Sequence, residues 1–239
     1  MGIDVSRAGV VTFNGAHEQR VITDTTRPIA VLSLGPVPVA SVFRRRRAKP
    51  DNHDGNPLIY ALKGKKGFTI PRADFAEIHR RAATNLPAAL DALPDFDVAI
   101  PLPSSSNVAA ILARRAVRLR PGTVLLDCLE KATVAHVLAN SPATGMLPDR
   151  VQKPYKSLLN ALQGMAPNSH VEMKTINLRV RPYINPVVAG LASSQCRGLR
   201  VLVVDDIFGS GASLEGAIAA LSRHGPSSIA GLTFLGRLS

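Results

Sequence analysis

Apolar positions fall along this chain in two successive patterns. Up to residue 48 they come in short alternating or continuous runs, at 10–13, 21–23, 29–34 and 37–43, separated by turn residues, which predicts a β-rich segment. From Pro57 the spacing becomes helical. Leu58, Ile59 and Leu62 precede the basic cluster Lys63-Gly-Lys-Lys-Gly67. Phe75, Ile78, Ala82 and Leu86 then recur on one face of a helix, with His79, Arg80 and Arg81 largely off it. Residues 95–101 read as a buried strand, 108–119 as a helix and 123–129 as a second strand. A further strand at 201–204 leads into a helix marked by Leu214, Ala217, Ile218 and Leu221, and a last strand follows at 229–235.

Strand–helix alternation of this kind predicts an α/β fold, a doubly wound, mostly parallel sheet, with a β-rich N-terminal appendage. The expected organisation is an N-terminal segment over 1–54 and a main domain over 55–239. The main domain is interrupted by a partly irregular insertion around 131–198, with helical stretches near 155–162 and 185–192. A long insertion inside such a core is usually functional, often a lid. Arg44 to Arg47, Lys49 and the polar residues up to Pro57 read as a solvated loop.

Composition narrows the class. The chain has 239 residues, 46% of them apolar, enough for a sizeable core, while only 4% are aromatic, so stacking-based recognition has few candidates. A formal charge of +12 favours anionic partners, nucleic acid and nucleotides among them, without choosing between them. Cys128 and Cys196 form no metal-binding spacing, and Cys128 lies in an apolar run that reads as buried. With no signal peptide and no apolar run approaching 18 residues, the expectation is a soluble cytoplasmic protein.

The segment that carries chemistry is Val201-Leu-Val-Val-Asp-Asp-Ile-Phe-Gly-Ser-Gly-Ala-Ser213. A strand buried on both faces delivers Asp205 and Asp206 where it leaves the sheet. A small-residue turn, Gly209, Ser210, Gly211, Ala212 and Ser213, then opens a helix whose first N–H groups and hydroxyls can face an anion. Two acids able to hold a diol beside a phosphate cradle describe a ribose 5-phosphate site. The bland alternative is a buried strand followed by an ordinary polar turn.

This element resembles the phosphoribosyl pyrophosphate (PRPP) signature of type I phosphoribosyltransferases, in which Thr often stands where this chain has Gly209, Ser210 and Ser213. The upstream segments Gly55-Asn-Pro-Leu-Ile-Tyr-Ala-Leu-Lys-Gly-Lys-Lys-Gly67 and Asp97-Val-Ala-Ile-Pro-Leu-Pro103 resemble the ComF-type branch, competence-associated relatives of those enzymes. The paired Cys-x-x-Cys zinc ligands common in that branch do not occur here.

The resemblance implies a sheet of the type I phosphoribosyltransferase kind and a PRPP-dependent transfer in which a nitrogen base displaces pyrophosphate. Asp205 and Asp206 would hold the ribose hydroxyls, directly or through Mg²⁺, and the 209–213 turn would hold the 5-phosphate. Pro103, Ser104, Ser105 and Ser106 would form the pyrophosphate loop, although a serine triplet before a helix also reads as an N-cap. Lys153 and Lys156 in the presumed lid, Arg181 behind it, and Lys63, Lys65 and Lys66 are the candidate cations. The implied acceptor is an unspecified base, and a homodimer is the default assembly. A nucleic-acid partner, suggested by Arg44 to Arg47 and by the link of ComF to DNA uptake, is the competing reading as a non-catalytic binding module.

Overall fold

The structure, a computed structural model, describes residues 1–46, 56–104, 106–171, 176–177 and 179–238. The N-terminal segment forms β1 (Gly2–Val5), β2 (Val11–Asn14), β3 (Val21–Ile22), β4 (Val31–Leu34) and β5 (Val37–Arg45). Two helices, α1 (Asn56–Leu62) and α2 (Arg72–Asp91), follow, and then β6 (Val98–Pro101), α3 (Val108–Leu119) and β7 (Val124–Leu125). The insertion holds β8 (Leu129–Lys131), α4 (Val134–Asn140), α5 (Asp149–Gln163) and β9 (Val187–Ala189). The chain closes with β10 (Arg200–Ile207), α6 (Ala212–Ser222) and β11 (Ser228–Leu238).

The central sheet runs β3-β5-β11-β10-β6-β7, with β4 also on β5. From β5 to β7 every pairing is parallel, and β3 and β4 are antiparallel to β5. Strand alternation divides the core in two. Val201 and Val203 of β10 pack with Leu214, Ala217 and Leu221 of α6, while Leu202 and Val204 pack with Leu58 and Ile59 of α1, Ile78 of α2 and Leu112 of α3. Helices cover both faces, the doubly wound arrangement expected of a sheet whose strands are apolar on both sides. The N-terminal segment is strand-rich, and β3, β4 and β5 are built into the main sheet. Among the described residues no helix is long and apolar enough to cross a membrane.

Several local expectations are corrected. The arginine run is no free loop: β5 extends through Arg45, which is 4% exposed, and Arg44 donates to the Pro28 carbonyl at 2.5 Å. Arg46 lies outside with Glu18 at 3.9 Å, and Arg47, Lys49 and residues 50–55 are outside the described residues. On α2, Phe75 is exposed, whereas Arg81 is buried over the Phe13 ring and donates to Glu77 and to the Thr23 carbonyl. The strand expected over 123–129 is only β7, at the sheet edge with Val124 and Leu125 exposed. The chain then leaves the sheet, and β8 pairs with β9. Most of the helix expected over 185–192 is instead β9, where the β-branched Val187 and Val188 favour a strand, and a 3-10 turn follows over Leu191–Cys196.

The insertion has a core of its own, in which Val134, Val137, Val151, Leu162, Val171 and Ile184 surround the fully buried Tyr155, whose hydroxyl donates to the Pro142 carbonyl at 2.9 Å.

Candidate functional site

The carboxyl ends of β6 and β10 border a cleft of about 300 Å³, where a doubly wound sheet places its ligands. β10 stays regular through the two acids, with Asp205 opposite Thr233 and Ile207 opposite Leu235 of β11. The chain then turns sharply. Phe208 is buried, Gly211 takes φ +90° and α6 begins at Ala212. A Cβ on Gly211 would lie 3.0 Å from Phe208 Cε2 and 3.2 Å from Leu34 Cδ1, so both conformation and packing require glycine there. Gly209, Ser210, Gly211, Ala212 and Ser213 all line the cleft. The first N–H groups of a helix have no intrahelical partner, and here those of Ser213 and Leu214 open toward the cleft end of α6. Ser210 Oγ accepts from the Ala212 N–H at 3.4 Å.

Alternation along β10 sends Asp205 and Asp206 to opposite faces. Asp206, 5% exposed, forms an ion pair with Lys63, which follows α1 and is itself 14% exposed. Asp205 accepts the Asp206 N–H at 2.7 Å. Burial first, and then the Asp206 charge, push the Asp205 carboxyl up to about 7, against that N–H and the Lys63 ammonium. Asp206 is thus matched by a cation, while Asp205 holds a proton more readily than an ordinary aspartate.

Pro103 and Ser104, after β6, line the same cleft. Ser106 is not among the lining residues; its N–H donates to Ser104 Oγ at 3.3 Å, which shapes the loop, and Ser105 lies outside the described residues. The serines do not cap α3, since the residue at that position is Asn107. Lys63, Lys65 and Arg181 line the cleft, whereas Lys66 turns onto the Tyr60 ring at 4.3 Å. Arg181 donates Nε to the Ile176 carbonyl at 3.0 Å, and burial eases its guanidinium below the usual arginine value.

Lys153 and Lys156 are not brought to the cleft. Helix α5 turns Val151, Tyr155 and Leu162 into the insertion core, and both lysines project from the opposite, exposed side.

Sequence reasoning passed over Lys131, Val171, Pro186 and Val187, which the insertion contributes to the cleft wall. It also passed over Arg45. This buried guanidinium donates to the Gly236 carbonyl at 2.6 Å, to the Phe208 carbonyl at 2.7 Å and to Asn56 Oδ1 at 3.0 Å. It thus joins the strand ends, the residue before the 209–213 turn and the start of the helix that leads to Lys63. Its position at the inward end of an apolar strand was the only signal.

Mg²⁺ takes six oxygen ligands and gives up its waters reluctantly. The cleft offers it the Asp205 and Asp206 carboxylates, and no group of three or more His, Cys, Asp or Glu able to hold a metal occurs among the described residues. Two carboxylates fit such an ion and would leave most of its positions to other oxygen ligands.

No curated protein sequence matches the chain. The family model described as phosphoribosyl transferase domain matches residues 108–239, more than half of the chain and the part holding the insertion, the aspartate pair and the turn before α6. The protein belongs to the phosphoribosyl transferase family.

Proposed function

We propose that this protein is a PRPP-dependent phosphoribosyltransferase of the ComF-type branch, transferring ribose 5-phosphate to a nitrogen base and releasing pyrophosphate. The observation that carries the reading is one cleft in which an aspartate pair at the end of β10 adjoins a small-residue turn opening α6. In the proposed reaction a ring-nitrogen lone pair forms the bond to C1 as the C1–O bond to pyrophosphate breaks. The bonding electrons leave with pyrophosphate and the nitrogen sheds its proton to solvent. Positive charge builds on the sugar and negative charge on the leaving group, so positioning and electrostatics dominate and no covalent nucleophile is needed.

Each group has a role within that scheme. Asp205 and Asp206 accept hydrogen bonds from the ribose hydroxyls and fix the ring. The turn at 209–213 takes the 5-phosphate through N–H groups and hydroxyls. Lys65 and Arg181, with Ser104, face the diphosphate. Mg²⁺ held at the aspartates and the diphosphate would neutralise charge on the leaving group. Leu102, Val171 and Val187 give the cleft lining apolar surface that suits a flat base, with the insertion acting as a hood. Lys63, part of the segment on which the ComF-type likeness rests, supports that branch through its pairing with Asp206.

Calorimetric titration with PRPP, with and without Mg²⁺, tests the reading on wild type and on the Asp205→Asn/Asp206→Asn double variant. Mg²⁺-dependent, saturable binding that disappears in the folded double variant is expected. Wild-type protein that takes up no PRPP at millimolar concentration would sink it.

A further inference from the structure

The turn before α6 is short of charge for the dianion it is proposed to hold. Between Gly209 and Ser213 it offers two hydroxyls and a set of N–H groups, but no cation. A phosphate monoester taken from water into a half-closed cleft is best matched by an ammonium or guanidinium. Lys63 is engaged by Asp206, toward α1. Arg181 is tied to the Ile176 carbonyl. Lys131 differs: it lines the cleft, is half-buried, and takes no side-chain hydrogen-bond or ion-pair partner among the described residues.

The fold holds Lys131 on the α6 side. It is the last residue of β8 and stands opposite Val187 of β9. The chain entering β9 lies close against α6, because a Cβ at Gly216 would come within 2.5 Å of Asn185 Oδ1 and 3.1 Å of Pro186 Cδ. Gly216 is one helical turn beyond Ala212, where α6 begins. The hairpin is fixed further by the Ala132 N–H donating to the Pro186 carbonyl at 2.9 Å, and by the Gly190 N–H and Ser193 hydroxyl donating to the Cys128 carbonyl. Lys131 thereby stands on the α6 side of the sheet and lines the same cleft as the 209–213 turn.

We propose that Lys131 is the cation of the 5-phosphate subsite, supplying from the insertion the charge that the turn lacks and selecting phosphorylated over unphosphorylated ribose. The assignment rests on the ribose-phosphate reading above. It explains how the turn manages with glycine at position 209: one charge-assisted bond from the insertion replaces a hydroxyl.

Ribose 5-phosphate and, separately, inorganic pyrophosphate with Mg²⁺ are titrated into full-length wild type, Lys131→Met and Lys131→Arg, each first shown to be folded by circular dichroism. Lys131→Met weakens ribose 5-phosphate roughly ten- to hundredfold, as expected for one charge-assisted hydrogen bond, and leaves pyrophosphate within about twofold. Lys131→Arg restores most of the affinity. Phosphorus-31 titration of bound ribose 5-phosphate then finds its second ionisation at lower pH on wild type than on Lys131→Met. Equal weakening of both ligands, weakening of pyrophosphate alone, or no change in either overturns the assignment while the ribose-phosphate reading stands. Wild-type protein that binds neither ligand overturns that reading and the assignment with it.

Discussion

Replacing Arg45 with methionine keeps much of the side-chain volume and removes a guanidinium that donates to two main-chain carbonyls and one side-chain amide. The residue is 4% exposed, so water cannot take over those bonds without opening the strand ends. Each buried carbonyl left without a donor costs about 1–3 kcal/mol. With two of them, Phe208 and Gly236, the expected loss is about 2–6 kcal/mol, a large share of the roughly 5–15 kcal/mol that holds a typical domain together. Urea unfolding followed by circular dichroism measures it, with Arg46→Met as control. Arg46 is more than half exposed and 3.9 Å from Glu18, and its loss is expected to cost within about 1 kcal/mol. The Phe208 carbonyl immediately precedes the 209–213 turn, which is proposed to hold the 5-phosphate, so affinity for ribose 5-phosphate should fall in Arg45→Met even where the protein remains folded. If Arg45→Met and Arg46→Met unfold at the same urea concentration, the clamp reading of Arg45 is wrong.

Two further substitutions probe the cleft. The Asp205 carboxyl binds its proton up to about 7 when folded, against an ordinary 3.8, so the native state holds more protons and wild-type stability falls as pH rises through that window. Asp205→Asn should therefore melt above wild type at pH 8, lose that advantage at pH 4 and bind PRPP poorly at both; equal melting temperatures at pH 8 would contradict the burial argument. Gly211→Ala puts a Cβ at φ +90° and 3.0 Å from Phe208 Cε2, at a cost of about 1–3 kcal/mol. Thermal melts should show the loss, with ribose 5-phosphate binding reduced; an unchanged melt would mean that the turn relaxes freely.

What could be read from the sequence was whatever is contiguous. A strand apolar on both faces, two acids and a glycine-rich turn sit within thirteen residues, so β10, the turn and α6 were legible together, as was the parallel sheet built on them. Contacts between distant segments were not. Lys153 and Lys156 looked eligible because they share a segment with residues that do reach the cleft, but the apolar face of α5 commits them to the outside. Lys131 carried no local mark, since its position depends on a strand pairing with residues more than fifty positions later. The arginine run misled for a related reason. Four successive basic residues suggest a solvated loop, yet strand alternation turns Arg45 inward, where carbonyls from β11 and from beyond β10 converge. At 185–192 two β-branched valines after a proline outweighed the helical spacing of the apolar residues.

The division of Asp205 and Asp206 between the two faces of β10 makes any ligand held by both a rivet through the sheet. One acid belongs to the layer of α6 and the other to the layer of α1, and each layer has its own apolar core. A local opening of either layer would release the rivet, so binding must suppress openings in both. Amide protons of α1 and α6, on opposite faces of the sheet, would then slow their exchange together when the cleft fills.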